Sequence, residues 1–240
     1  MQLFYLPHLN TNSFEFSEEE SKHCIRVLRK KKGDAITLID GKGTEAIGII
    51  ESDNPKKCSG LIQQKTLHTK PQGTSIHLVI CPTKNTDRIE WMLEKCIELG
   101  VDQISFIYCE NSERNKINLE RCEKIAVSAI KQSKQFYLPQ INSIQSYEQF
   151  MQQKDSVRTE KYICWCPTAQ TETLAKQVAQ SKPSSVQVLV GPEGDFTIKE
   201  IQLAEKHGYK TCSLGNTILR SETAGLYAVT VLVALNQLNA

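Results

Sequence analysis

Val186-Gln187-Val188-Leu189-Val190-Gly191-Pro192-Glu193-Gly194-Asp195 is an apolar run that ends at a glycine-punctuated turn. Thr197-Ile198-Lys199-Glu200 follows, a capping-box spacing that opens a helix to about His207. An apolar run of this length is what a parallel strand covered by helices on both faces requires. Upstream, the same alternation repeats. Strands are expected at Ser75–Cys81, Gln103–Tyr108 and Lys161–Cys166. A helix is expected over Arg88–Leu99, where Ile89, Met92, Leu93, Cys96 and Ile97 line one face and Gly100 ends it. Further helices are expected over Leu119–Ser133 and Thr171–Ser181. Downstream come a strand at Thr211–Leu214 and a last helix from Ser221 to Leu238, apolar on more than one face and so buried on several sides. Strands alternating with helices define an α/β domain built on a parallel sheet, over residues 74–240.

Residues 1–70 have a different texture. Short strands are expected at Ala35–Asp40, Ala46–Glu51 and Gly60–Thr66, with Asp40-Gly41-Lys42-Gly43 as a turn. Ser17-Glu18-Glu19-Glu20 opens a short helix through Arg29. The linker falls in His68–Thr74, where Pro71 and Gly73 interrupt the pattern. The chain of 240 residues carries 29 Lys and Arg against 27 Asp and Glu, a formal charge of +2, which excludes a uniformly basic coat for nucleic acid. No apolar stretch is long enough to span a bilayer, and Gln2–Asn12 lacks the layout of a signal peptide, so a cytoplasmic protein is expected. The nine cysteines form no C-x-x-C pair and several lie in apolar runs; buried free thiols are expected, with neither a disulfide frame nor a metal.

Two loops follow strands directly: Gly191–Asp195, and Leu214-Gly215-Asn216-Thr217-Ile218-Leu219-Arg220. Ligands of parallel sheets sit at the carboxyl ends of strands, so loops after consecutive strands are candidates to share one pocket. Glycine lets main-chain donors and acceptors approach a flat purine edge; two simple tight turns would carry the same residues. No P-loop is present, and Ser75–Cys81 runs into Pro82-Thr83-Lys84 instead of a dinucleotide-binding turn.

Leu189-Val190-Gly191-Pro192-Glu193-Gly194, with Leu214-Gly215-x-x-Ile218-Leu219-Arg220-x-Glu222-Thr223-Ala224, resembles the RsmE family of 16S ribosomal RNA uridine N3-methyltransferases in the SPOUT superfamily. His23–Arg29 and Glu94–Val101 extend the resemblance over essentially the whole chain. The resemblance implies a PUA-like β-barrel domain, a trefoil-knotted α/β domain, a homodimer and S-adenosyl-L-methionine as cofactor. It implies methylation of N3 of uridine 1498 in the small ribosomal subunit. It also implies cofactor contacts from Leu189, Gly191, Pro192, Glu193, Gly194, Leu214, Gly215 and Leu219, and Gly191→Val is expected to abolish cofactor binding with the fold intact. Asp195 stands where many relatives have a second glycine, Lys131–Gln135 departs from the usual E-Q-[SC]-x-R, and Glu110-Asn111-Ser112 lacks the usual arginine.

N3 of uridine must lose a proton, so the site needs a cation for the charge spreading onto the uracil oxygens and a path for the proton. Arg220 is the candidate cation, with a salt bridge as its alternative role. Glu222 is the candidate proton acceptor, or equally an acid favoured by the first turn of a helix. Glu193 is assigned to the cofactor loop, with capping of the next helix as the alternative. Lys22, Arg26, Arg29 and Lys30 are expected to meet RNA phosphates, Lys22, Arg26 and Arg29 sharing a helical face, with Lys84 and Arg88 extending the track. Lys95 has Glu94 and Glu98 as alternative partners, and His23 is a packed turn residue or an RNA ligand. A SPOUT enzyme with another RNA acceptor, and a catalytically silent RNA-binding or ribosome-assembly protein, are the competing readings.

Overall fold

The computed structural model describes residues 2–153, 159–165 and 171–239, and its contacts divide the chain into two units. The first comprises Met1–Pro71 with Val127–Leu138. Its elements are β1 (Leu3–Tyr5), β2 (Ser13–Glu15), α1 (Glu18–Lys22), β3 (Ala35–Ile39), β4 (Thr44–Ser52) and β5 (Ser59–Leu67). The sheet order is β1-β3-β4-β5-β2, parallel at β1/β3 and antiparallel elsewhere. Phe4, Phe14, Phe16, Ile36, Leu38 and Ile50 fill its core. Between β3 and β4, Asp40 Oδ1 accepts from the amides of Lys42 (2.7 Å) and Thr44 (2.9 Å), which closes the expected turn.

One element differs from expectation. The helix opened by Ser17 ends at Lys22, and His23–Val27 forms a wider π turn in which the Leu28 amide donates to the His23 carbonyl at 3.0 Å. That turn buries Cys24 completely, and Arg29 then takes a left-handed conformation, φ 56°. Arg29 therefore leaves the face that Lys22 and Arg26 were to share with it.

The second unit comprises Gln72–Ala126 and Pro139–Ala240. Its strands are β6 (Ser75–Ile80), β7 (Gln103–Tyr108), β8 (Gln140–Ser146), β9 (Glu160–Cys164), β10 (Ser185–Val190) and β11 (Tyr209–Cys212). Its helices are α2 (Thr86–Leu99), the start of α3 (Leu119–Ser133), α4 (Tyr147–Met151), α5 (Leu174–Ser181), α6 (Ile198–Lys206) and α7 (Ser221–Asn239). All six strands are parallel, in the order β11-β9-β10-β6-β7-β8. β10 is thus inserted between two strands laid down before it, and α7 returns from the β11 edge to pack on α2, α5, β6 and β10. Gly225 permits that close approach: a Cβ there would lie 2.9 Å from Ile80 Cδ1.

Gln187 interrupts the apolar run of β10, and its side chain is satisfied inside the sheet. Its amide donates to His77 Nδ1 at 2.8 Å and its carbonyl accepts from the Tyr209 hydroxyl. β11 ends at Cys212, two residues earlier than expected, because Ser213 Oγ turns the chain there, accepting from the Gly215 amide (3.0 Å) and donating to the Gly215 carbonyl (3.1 Å). Eight cysteines are free, seven buried and Cys164 half-buried; Cys166 lies outside the described residues.

Candidate functional site

The loops after β6, β7, β10 and β11 leave one edge of the second unit's sheet, the carboxyl edge. The two glycine loops are consecutive along the chain but their strands are not neighbours, because β9 lies between β10 and β11. A ligand bridging them therefore spans the end of β9. The rest of the loop after β9 begins at Cys166, outside the described residues.

The Gly191–Asp195 loop is held from three directions. Within it, the Asp195 amide donates to the Pro192 carbonyl at 3.0 Å, and Asp195 itself sits at φ 58°. A left-handed residue is what the loop needs here, a conformation that glycine adopts more readily than aspartate. Asp195 Oδ1 accepts from the Phe196 amide at 2.7 Å, while burial raises the Asp195 carboxyl above its ordinary range. On the β6 side, Glu193 Oε1 accepts from the Lys84 amide at 3.2 Å. Glu193 does not cap the next helix; Thr197 does, reciprocally with Glu200. On the β7 side, Asn111 Nδ2 donates to the carbonyls of Gly194 (3.1 Å) and Asp195 (3.0 Å).

Leu189 and Pro192 are buried, Leu189 in register between Val79 and Ile163. Gly191 faces the core: a Cβ there would lie 3.0 Å from the Phe196 ring. The expectation that Gly191→Val leaves the fold intact is therefore corrected, since valine would collide with a packed aromatic side chain.

The loop after β11 is open by comparison. Gly215 has φ 121° with nothing among the described residues within 4 Å of a Cβ, Leu214 and Leu219 are half-buried, and Ile218 is fully exposed. Among the described residues, the main chain of Asn216–Leu219 engages no hydrogen-bond partner. Unengaged amides and carbonyls beside apolar surface are the chemistry an adenosyl group requires, so the residues present fit such a cofactor.

Arg220 is exposed and forms no ion pair among the described residues, so its salt-bridge alternative is not realised there. Glu222, in the first turn of α7, is 7% exposed and faces Arg88 Nη1 at 3.5 Å. The expected RNA contact Arg88 is thus committed to an acid of the site. Lys84 Nζ pairs with Glu113 at 3.1 Å, and Arg114 donates to the Lys84 carbonyl at 2.9 Å. Lys95 pairs with Glu94 (2.7 Å) and Glu98 (2.8 Å), its alternative role.

In the first unit, Lys22 pairs with Glu18 at 2.7 Å and Lys30 Nζ donates to the Ala35 carbonyl at 3.3 Å, while Arg26 and Arg29 are exposed. His23 is half-buried, with its ring edge toward Phe4. Lys131, one of the departures from the family pattern, pairs with Glu20 at 2.6 Å.

Two contributors carry no local signal in sequence. Asn111 acts across more than eighty positions, and Glu200, legible as a capping residue, also accepts from the Glu110 amide at 2.9 Å with its second oxygen. Beneath the same turn, Cys81 Sγ and Cys109 Sγ lie 3.7 Å apart. Hydrogen bonds from Cys81, Ser112 and the Asn111 amide draw the Cys109 thiol below its ordinary value, and the Cys81 thiol rises correspondingly. No group of three metal-ligating side chains occurs among the described residues.

Comparison with known proteins agrees with this geometry. The family model of the RNA methyltransferase domain matches residues 70–233, and that of the RNA methyltransferase PUA domain matches residues 16–63. The ribosomal RNA small subunit methyltransferase E of Mesomycoplasma hyopneumoniae (strain 232) is 30% identical over 236 residues, covering 96% of this chain and 98% of that protein. A probable rRNA-methyltransferase from Porphyromonas gingivalis has a TM-score of 0.90 at 34% identity, covering all of both chains. The ribosomal RNA small subunit methyltransferase E from Neisseria gonorrhoeae, solved bound to S-adenosyl methionine, has a TM-score of 0.86 at 27% identity over 98% of both chains. The chain is an RNA methyltransferase with a PUA domain, and its fold is the SPOUT class expected. Within that class it belongs to the ribosomal RNA small subunit methyltransferase E family.

Proposed function

We propose that the chain transfers a methyl group from S-adenosyl-L-methionine to N3 of uridine 1498 in 16S ribosomal RNA. The observation that carries this reading is the open loop after β11. The main chain of Asn216–Leu219, without a hydrogen-bond partner among the described residues, and exposed Ile218 lead directly into Arg220 and the first turn of α7. The sulfonium supplies an already activated methyl group, so the protein's task is alignment and charge stabilisation. Main-chain groups of Leu214–Leu219 would hold the adenosyl portion, with the Gly191–Asp195 loop bordering it. Arg220, in no ion pair among the described residues and at the foot of α7, directs its guanidinium donors at a uracil oxygen as negative charge develops. Glu222 accepts the N3 proton, and Arg88 holds its carboxylate in place.

Residues 1–70 serve as the RNA-positioning domain and 74–240 as the catalytic one, with Arg26 and Arg29 on phosphates. The enzyme works as a cytoplasmic homodimer. Trp91 of α2 (49% exposed) with Tyr227 (45%) and Leu238 (82%) of α7 offer apolar surface for a second copy. No described helix is long and apolar enough to cross a membrane.

The test is nucleoside mass spectrometry of 16S RNA from cells lacking the protein. N3-methyluridine at that position should vanish and return with the intact gene, but not with Arg220→Ala. Persistence of the mark overturns the reading, and loss of a different mark assigns the enzyme another acceptor. For purified Arg220→Ala the expected loss of kcat is about 10²–10³-fold. Its Tm should stay unchanged, because the Arg220 side chain is exposed and forms no ion pair among the described residues.

A further inference from the structure

The turn after β7 is fixed more firmly than its exposed position requires. The Cys109 amide donates to Ser112 Oγ at 2.9 Å, the Ser112 amide returns to the Cys109 carbonyl at 3.1 Å, and the Glu110 amide donates to Glu200 Oε1 at 2.9 Å. Glu200 is buried and anchored in turn by the Thr197 amide (2.7 Å) and hydroxyl (2.9 Å). These bonds present one side chain, Asn111, to the glycine loop. Its Nδ2 donates to two successive carbonyls there, those of Gly194 and Asp195. The approach is close enough that a Cβ on Gly194 would lie 2.9 Å from Asn111 Cβ, so residue 194 is glycine because Asn111 stands against it.

The second carbonyl belongs to the residue that most needs support. Asp195 occupies the left-handed region, which costs a residue bearing a Cβ about 1–2 kcal/mol. A glycine would hold that conformation without this cost; an aspartate must be kept in it. We propose that Asn111 is a positioning residue for the methyl donor. By bonding the Gly194 and Asp195 carbonyls, it holds the Gly191–Asp195 loop in the form that borders the donor. Asn111 need not touch the donor to act in this way. The inference rests on the reading of that loop as part of the donor site.

Asn111→Asp keeps the shape and replaces both donors with an acceptor facing two carbonyls; Asn111→Ala removes the contact without adding charge. Both substitutions lie on an exposed turn. The full-length wild type and both variants are titrated with S-adenosyl-L-methionine by calorimetry, and the KM for the same compound is measured at saturating RNA. The expected result is a Kd raised about 10-fold, the worth of two neutral hydrogen bonds. The number of sites per chain and kcat should stay near the wild-type values, and KM should rise with Kd. A fall in the number of competent sites at unchanged Kd would mean that Asn111 only supports folding, and overturns the proposal. So does wild-type affinity in both variants. Absence of binding by the wild type overturns the donor-site reading itself, and is distinguished by appearing before any substitution is made.

Discussion

At Gly191 the missing side chain makes room for Phe196, whereas at Gly215 it permits φ 121° in a loop with open space around it. Substitutions at the two positions should fail for different reasons. Gly191→Val forces overpacking against the ring and should cost about 1–3 kcal/mol of stability, seen as a lowered Tm before any ligand is added. Gly215→Ala meets no atom among the described residues, but it must hold φ 121° in a turn that Ser213 Oγ pins at both the Gly215 amide and carbonyl, so backbone strain of about 1 kcal/mol should lower Tm, less than at Gly191. A turn displaced by that strain should also bind more weakly, and the Kd for S-adenosyl-L-methionine should rise about 10-fold for each ~1.4 kcal/mol needed to restore it. Equal Tm losses in both would show that the loop after β11 is held by packing. Asp195 makes a third case. Burial raises its carboxyl pKa, opposed by the Phe196 amide, so the folded state is penalised for carrying the charge. That penalty is complete above the raised folded-state pKa and disappears as pH falls below the ordinary carboxylate value. Asp195→Asn keeps an acceptor for Phe196 without the charge, and should be more stable than wild type at pH 7. The gain should be below about 1 kcal/mol, closing near about pH 3. A difference in Tm that persists unchanged at low pH would contradict this account. At this scale both glycine loops were legible in sequence because turn chemistry is local. Asn111 was not, because its partners lie more than eighty positions away.

Elements recovered from sequence are those with a strong local period. β7 and α3 fall at the expected boundaries, and α2, α5, α6, α7, β6 and β10 within a few residues of them. The elements that escaped lack such a period. β1 and β2 are three residues long, and β8, an edge strand reading Gln-Ile-Asn-Ser-Ile-Gln-Ser, has only two apolar residues. The π turn after Lys22 goes with the burial of Cys24, a tertiary contact that helix propensity does not register. Val127–Leu138 grouping with the first unit is equally nonlocal: it depends on pairs such as Lys131 with Glu20 and the Gly43 amide with the Phe136 carbonyl. Long-range pairing also decides how α2 meets α7. Arg88 and Glu222 join these helices, with Glu222 buried and Arg88 half open to solvent. Arg88→Ala would strand a buried carboxylate, eased partly by the positive end of α7. The expected cost is about 1–2 kcal/mol, less than the ~3–5 kcal/mol of a fully buried pair. Glu222→Gln should cost less, because Arg88 can hydrate. Chemical denaturation of the two variants compares the losses, and the reverse ranking would show that Arg88 is the constrained partner.

For the whole molecule, the formal charge of +2 hides an uneven commitment of its cations. Of the side chains expected to meet phosphates, Lys22, Lys84 and Arg88 are in ion pairs and Lys30 is hydrogen-bonded to the main chain. In the first unit Arg26 and Arg29, with Lys31 and Lys32 beside them, are exposed and form no ion pair among the described residues. A paired lysine must break its bond to reach a phosphate, and a counterion taken up by the released acid cancels much of the gain. Unpaired cations shed their share of condensed ions from the RNA at no such cost. Salt dependence therefore separates the two populations. Each phosphate neutralised on single-stranded RNA contributes about −0.7 to the slope of log K against log salt, so four free cations set a slope of about −3. Arg26→Ala with Arg29→Ala should reduce its magnitude by about 1.4, whereas Lys22→Ala should leave it nearly unchanged. Fluorescence anisotropy with a 16S RNA fragment, over roughly a sixfold range of salt, resolves a difference of that size. Equal changes in slope from the double variant and from Lys22→Ala would mean that the ion pair opens on binding, and that pairing in the free protein says nothing about which cations meet the RNA.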